Sequence, residues 1–246
     1  MIFMTGTMTK ERKTLYRIIT IGLMAALVYA GNYLQIKIPN GVLVTRIHLG
    51  NSMCLLAGLL FGSVNGGLAS GIGAMLYDLF DPVYIVSAPY TFISKFAMGF
   101  TAGALRNSNE KARVFIAAVT GQIVYILLYL LKSFFTIIIL GGTVEAAWAA
   151  VGTNAITSVI NGVLAVVIAV PLYFTLRRAL KQTMIFSLIA ENDKENRPEK
   201  KTKPVVMAVI AVAVAVVIGL SLRLSAENKL KEQRAQEASI SASAET

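Results

Sequence analysis

The sequence predicts an all-α membrane protein: a bundle of six transmembrane helices followed by a seventh apolar helix. Three observations lead there. Hydrophobic residues make up 56% of the 246 and charged residues only 15%, against about a quarter charged in a soluble domain. The apolar residues fall in long runs, and runs of roughly 18 or more can cross a bilayer. The lysines and arginines sit in short connections at alternate helix ends, the asymmetry that orients a membrane protein. The net charge of +10 is thus a feature of topology, and the expected partner is membrane lipid, with no nucleic acid.

Taken in order, the first helix covers about Leu15 to Ile36. Lys10, Arg12, Lys13 and Arg17 precede or open it, which places the N-terminus in the cytoplasm. The run is too long for a signal peptide and no Ala-x-Ala site follows it, so the helix is retained. Gly22, Ala26 and Ala30 recur every four residues and form a small face for close helix approach. Pro39-Asn40-Gly41 signals a turn, and the β-branched stretch from Val42 to Ile47 suits an extended external loop.

The second helix runs from about Leu49 to Phe61. Ser63 to Gly67 reads as a tight connection, and the third helix continues to about Phe80. Gly58, Gly62 and Gly66, then Gly67 and Gly71, repeat at four, as helix packing requires. Asp81-Pro82 breaks the chain, and the loop to Pro89 holds Tyr84 and Ser87. The fourth helix spans about Tyr90 to Leu105, and the fifth about Val114 to Leu140. Gly141-Gly142 opens a loop that holds Glu145 and Trp148, and the sixth helix spans about Ala149 to Leu176. The domains follow: 1–181 is the membrane domain, 182–203 a charged cytoplasmic linker, 204–222 a further transmembrane helix, and 223–246 a charged tail of disorder-like composition.

Polar groups inside apolar helices are costly, so they face a bundle interior, a cavity or a partner. The stretch from Arg46 to Leu105 holds several: His48, Asn51, Asn65, Asp78, Asp81 and Lys95. Its outer ends, near His48, Asn51, Asp78 to Tyr90 (with Tyr84) and Lys95, are the candidate ligand contacts. Lys95 requires a carboxylate, a carbonyl or a ligand anion, and Asp78 is the partner by sign. In the fifth helix Gln122, Tyr125, Tyr129 and Lys132 share one face. Tyrosines there can stack on a planar ligand while amides and a cation read its edge; interfacial packing is the alternative. In the sixth helix Asn154, Thr157, Ser158 and Asn161 lie near one face, either to glue helices or to meet a ligand.

Enzyme classes fit poorly. A membrane phosphotransferase using Mg2+ needs several converging carboxylates, and beyond Asp78 and Asp81 there is no second cluster. No Cys/His cluster offers a metal site, and the one cysteine, Cys54, allows no disulfide within the chain. No Gly-x-x-x-x-Gly-Lys-Ser/Thr motif is present, so energy for uphill transport must come from a partner or an ion gradient. No cofactor is expected.

The central stretch resembles a known family. Leu49-Gly50-Asn51, Leu59-Leu60-Phe61-Gly62-Ser63, Gly71-Ile72-Gly73 to Asp78-Leu79, and Ala88-Pro89-Tyr90-Thr91-Phe92-Ile93-Ser94-Lys95 resemble the substrate-binding S components of energy-coupling factor (ECF) transporters. The riboflavin-transporter-like group is the nearest. Asn154, Asn161 and Pro171-Leu172 resemble its last helix, and the likeness covers about Leu15 to Lys181. Ser63, Asn51 and Phe96 stand where that group usually has proline, aspartate and glycine.

The resemblance implies a six-helix S-component fold in the cell membrane. It implies a small water-soluble vitamin or precursor (riboflavin, a pyridoxine-like ring or a pyrimidine) bound near the outside. Its partners would be a transmembrane coupling protein and two cytoplasmic ATPases, with Gly22, Ala26 and Ala30 resembling the docking surface. A stand-alone secondary transporter of a small heterocycle is the alternative.

Overall fold

A computed structural model describes residues 10–40, 43–106 and 110–183. Apart from Gln182 and Thr183, the expected linker 182–203 lies outside these residues, as do the seventh apolar helix and the tail. The described part is mostly helical, in the order α1 (Lys10–Tyr33), β1 (Gln35–Asn40), β2 (Leu43–His48), α2 (Gly50–Phe61), α3 (Ser63–Leu79), α4 (Ala88–Leu105), α5 (Lys111–Ile139) and α6 (Val144–Ala179). One 3-10 turn, Ile85–Ser87, precedes α4, and another, Leu180–Gln182, ends α6. Three helices, α1, α5 and α6, are long and apolar enough to cross a membrane.

Several boundaries differ from expectation. The first helix ends at Tyr33, and Ile36 belongs to a strand. The β-branched stretch is not a simple loop. It pairs antiparallel with β1, Gln35 opposite His48 and Asn40 opposite Leu43. Ile36, Ile38, Val44, Thr45 and Ile47 supply the β-branched composition that favours such a ribbon.

The connection expected over Ser63 to Gly67 is a single residue, Gly62. Its φ of 83° lies in the left-handed region that glycine enters without steric cost. The Gly62 N–H closes α2 on the Gly58 carbonyl at 3.0 Å, and the Gly66 N–H already bonds the Gly62 carbonyl at 3.0 Å. One helix therefore starts where the other stops. Glu145 and Trp148, expected in a loop, lie in the first turns of α6. Thr143 starts that helix early, because its Oγ1 accepts from the Ala146 N–H at 3.2 Å, satisfying one of the orphan donors of a helix start.

The glycine rows bring α2, α3 and α4 into backbone contact. A Cβ on Gly66 would collide with Gly58 Cα and the Ala57 carbonyl, one on Gly58 with the Gly99 carbonyl, and one on Gly103 with the backbone of Gly62 and Ser63. Phe92, Phe96 and Phe100 stack down α4 with centroids 6.0 and 5.8 Å apart. The first two lie over the missing side chains of Gly71 and Gly67. Phe96 thus finds its volume opposite a glycine.

The core gathers Val28, Leu55, Leu56, Leu59, Leu60, Met98, Val114 and Tyr173. By chain direction, the helix ends near Lys10, Gly62, Arg106, Lys111 and Arg178 form one end of the bundle. The hairpin and the connections α3–α4 and α5–α6 form the other.

Candidate functional site

At the hairpin end the helices do not close on one another. They leave a cleft of about 550 Å3, a figure that includes the open space at its mouth. Each wall comes from a different element. β2 supplies Arg46 and His48, α3 supplies Asp78, and the α3–α4 connection supplies Tyr84 and Ser87. From α4 come Tyr90, Thr91, Ser94 and Lys95, from α5 Tyr125, Tyr129 and Lys132, and from α6 Ser158 and Asn161.

Local geometry follows from the sequence periods. Strand residues two apart share a face, so Arg46 and His48 reach the cleft together. Residues seven apart on a helix share a face, and Tyr125 and Lys132 are such a pair, with Tyr129 between them. Tyr125 and Tyr129 stack at 5.9 Å between centroids.

The strand is pinned to α6 by one amide. Asn161 Oδ1 accepts from the His48 N–H at 2.9 Å, and its Nδ2 donates to the Arg46 carbonyl at 2.7 Å. His48 Nδ1 accepts from the Gly50 N–H at 3.1 Å, which requires that nitrogen to be unprotonated. Burial, and then the charges of Lys95 and Arg46, hold the imidazole well below its usual range, so it is neutral.

Arg46 Nη2 donates to Asp78 Oδ1 at 2.6 Å, with side chains 10% and 1% exposed. Its guanidinium carbon lies 4.2 Å from the Tyr84 ring centroid and 5.0 Å from that of Tyr77, a cation–π arrangement. Burial pulls the Arg46 pKa down, but the charge and hydrogen bond of Asp78 outweigh it and hold the group above its ordinary value. Burial likewise pushes the Tyr84 phenol up. Outside the cleft, Lys37 Nζ bonds Asp81 Oδ2 at 2.8 Å, and Asp81 Oδ1 accepts from the Val83 N–H at 3.0 Å. Burial raises the Asp81 pKa, yet these two bonds and the charges of Lys37 and Arg46 bring it below the ordinary value. The turn role expected of Asp81 is present, and an ion pair joins it.

Lys95 does not pair with Asp78 as its sign suggested, because Arg46 from the strand occupies that carboxylate. The Lys95 ammonium instead donates to Asn51 Oδ1 and sits 3.7 Å from the centroid of Tyr125. Of the twelve residues predicted to bind, nine line the cleft: His48, Asp78, Tyr84, Tyr90, Lys95, Tyr125, Tyr129, Lys132 and Asn161. Three lie behind it. Asn51 supports Lys95. Asn154 Nδ2 donates to Ser133 Oγ at 2.6 Å. Gln122 is buried against Gly162, and its side-chain amide has no hydrogen-bond partner among the described residues.

The cleft is also lined by Arg46, Ser87, Thr91 and Ser94, which were not among the expected contacts, and by Ser158, which was placed on a face that could either glue helices or meet a ligand. Two signals were available. Arg46 is two residues from His48 in a β-branched run, and Ser87, Thr91 and Ser94 fall at steps of four and three. Gly22, Ala26 and Ala30 are exposed on α1, and nothing lies within 4 Å of a Cβ placed on Gly22.

Among known proteins, the chain shares the fold of the S component of a bacterial ECF transporter, at TM-score 0.55 and 21% identity, over 69% of this chain and 99% of that one. It also aligns with the S component for biotin from an ECF-type ABC transporter at TM-score 0.43 and 19% identity, over 68% of this chain and 94% of that one. That second likeness is below the level that fixes a fold. No curated protein matches the sequence. The family model described as ECF-type riboflavin transporter, S component, matches residues 12–178. That is more than half of the chain, and the protein therefore belongs to this family of substrate-binding subunits of ECF transporters.

Proposed function

We propose that the protein is the substrate-specificity subunit of an ECF-type transporter that takes up a small water-soluble vitamin or vitamin precursor. The ligand binds in the cleft at the hairpin end. Riboflavin, a pyridoxine-like ring and a pyrimidine all match a site with stacking tyrosines and edge-reading polar groups. The observation that carries this reading is the cleft's composition and position. Tyr84, Tyr90, Tyr125 and Tyr129 line it together with Asn161, Ser158 and Lys132. It lies at the end of the bundle opposite the clusters Lys10–Arg17, Arg106–Arg113 and Arg177–Lys181. Basic clusters face the cytoplasm, so the cleft opens outward and the N-terminus lies inside.

In this reading all six described helices cross the membrane, with 1–181 as the binding domain and 204–222 as an added span that follows a cytoplasmic linker. The transmembrane coupling protein docks on the exposed small face of α1 at Gly22, Ala26 and Ala30, and carries two cytoplasmic ATPases whose hydrolysis drives release inside. Asn51 and Asn154 act from behind the cleft by holding Lys95 and α5.

Reconstitution tests this. Uptake of a cleft-bound vitamin into proteoliposomes requires the coupling protein and both ATPases. Ion-driven uptake by the chain alone would show a secondary transporter instead. Ala26→Trp abolishes co-purification with the coupling protein and leaves ligand affinity intact; a variant that still co-purifies removes α1 as the docking face.

A further inference from the structure

The cleft holds more positive charge than its own residues neutralise. Arg46, Lys95 and Lys132 line it, against the single carboxylate of Asp78. Asp78 is committed to Arg46 at 2.6 Å, and Lys95 is committed to the Asn51 amide and the Tyr125 face. Lys132 is different: among the described residues no hydrogen bond or ion pair holds its ammonium.

Arg46 is only half used. One nitrogen, Nη2, serves Asp78, while the buried Nη1 has no hydrogen-bond partner, although the side chain is nine-tenths buried. The guanidinium cannot readily turn away to find one, because the Tyr84 and Tyr77 rings lie against it at 4.2 and 5.0 Å. A buried donor of this kind is costly unless something accepts from it. A neutral ring stacked on the tyrosines leaves the Lys132 ammonium and the Arg46 Nη1 hydrogens unanswered. An anionic oxygen group answers both, since a guanidinium fork and an ammonium are the usual pair of donors for carboxylate and phosphate.

We propose that the ligand is an acid: a small ring compound whose carboxylate or phosphate is held between Arg46 and Lys132 while the ring lies among the cleft tyrosines. This rests on the cleft being the substrate site and names the chemical class of its substrate. Arg46 and Lys132 then select the acid form of a vitamin over its neutral counterpart.

Calorimetry on the isolated subunit in detergent tests it with two matched pairs: nicotinate against nicotinamide for a carboxylate, and riboflavin 5′-phosphate against riboflavin for a phosphate. At least one acid binds about tenfold or more tightly than its neutral partner, the scale of a charge-assisted hydrogen bond, and the pair that shows it identifies the anion. Lys132→Gln brings that ratio toward one, and Arg46→Lys, which keeps the charge and loses the fork, lowers it. If neither acid binds better than its neutral partner, including the case in which none of the four binds, the inference is wrong. It is also wrong if the preference survives unchanged in Lys132→Gln. Binding is read without partners and uptake with them. Loss of acid preference with intact coupled uptake therefore removes only this inference, and acid preference without coupled uptake removes only the transport reading.

Discussion

Asp78 holds a buried cation in place, and its loss has a calculable effect. Removing one member of a buried pair leaves the other charge uncompensated. Asp78→Ala is expected to lower stability by about 3 kcal/mol, measured as a fall in the unfolding midpoint of the detergent-solubilised protein. His48 gives the pH signature. The folded protein keeps it neutral, with its pKa well below the usual value, while the unfolded chain takes up the proton near pH ~6.5. The unfolded state then binds more protons below that pH, so stability is full above about 6.5 and declines as pH falls toward the folded pKa. The thermal midpoint should drop between pH 7.5 and 5, and His48→Gln should flatten that drop. At this scale the sequence was a good guide to which side chains matter and a poor one to their partners. Lys95 and Asp78 stood out because charges inside apolar runs are costly. That Arg46 would take Asp78, leaving Lys95 to Asn51, depended on a strand pairing across the hairpin that no local pattern specifies.

The helical rows of glycine set how closely whole elements approach. Gly66→Leu pushes a side chain into the backbone of α2, where no flexible group can give way. A cost of about 1–3 kcal/mol is expected, read from the same unfolding midpoint. On α1 a Cβ placed on Gly22 meets nothing within 4 Å, so Gly22→Ala should not lower the midpoint. The element boundaries show what a linear reading can hold. Pro89 and Thr143 carry local start signals, yet α4 and α6 begin a little earlier than hydropathy alone suggested. Hydropathy marks the lipid-facing run, whereas α6 begins where Thr143 caps its first turn and α4 begins with Pro89 in its first turn, where no N–H is needed. Gly62 as a one-residue joint was hidden among neighbouring glycines of equal appearance; its positive φ is a property of the packed α2–α3 pair.

For the whole molecule, charge placement and long apolar runs were enough to expect a helical membrane protein. The position of the cleft followed only once strand, loop and four helices were seen to converge. Cys54 offers a global probe. It is fully buried in α2, so a maleimide should label it only as the bundle opens. Labelling rates across a temperature ramp should follow the unfolding transition, and rapid labelling of the folded protein would contradict the packing of α2.

The unequal helices have a consequence for the lipid. At about 1.5 Å per residue, α2 with its 12 residues and α3 with its 17 extend about 18 and 26 Å, whereas α6 with 36 extends about 54 Å. A bilayer interior is about 30 Å thick. α2 is almost wholly buried by its neighbours, so in the proposed six-helix topology the mismatch falls on α3: lipid thins beside it while α6 leans or protrudes, and each adjustment carries an elastic cost. That topology makes the protein sensitive to acyl-chain length. Its thermal stability in vesicles should fall as lipids lengthen, and an unchanged midpoint across chain lengths would show that α3 does not set the local membrane thickness.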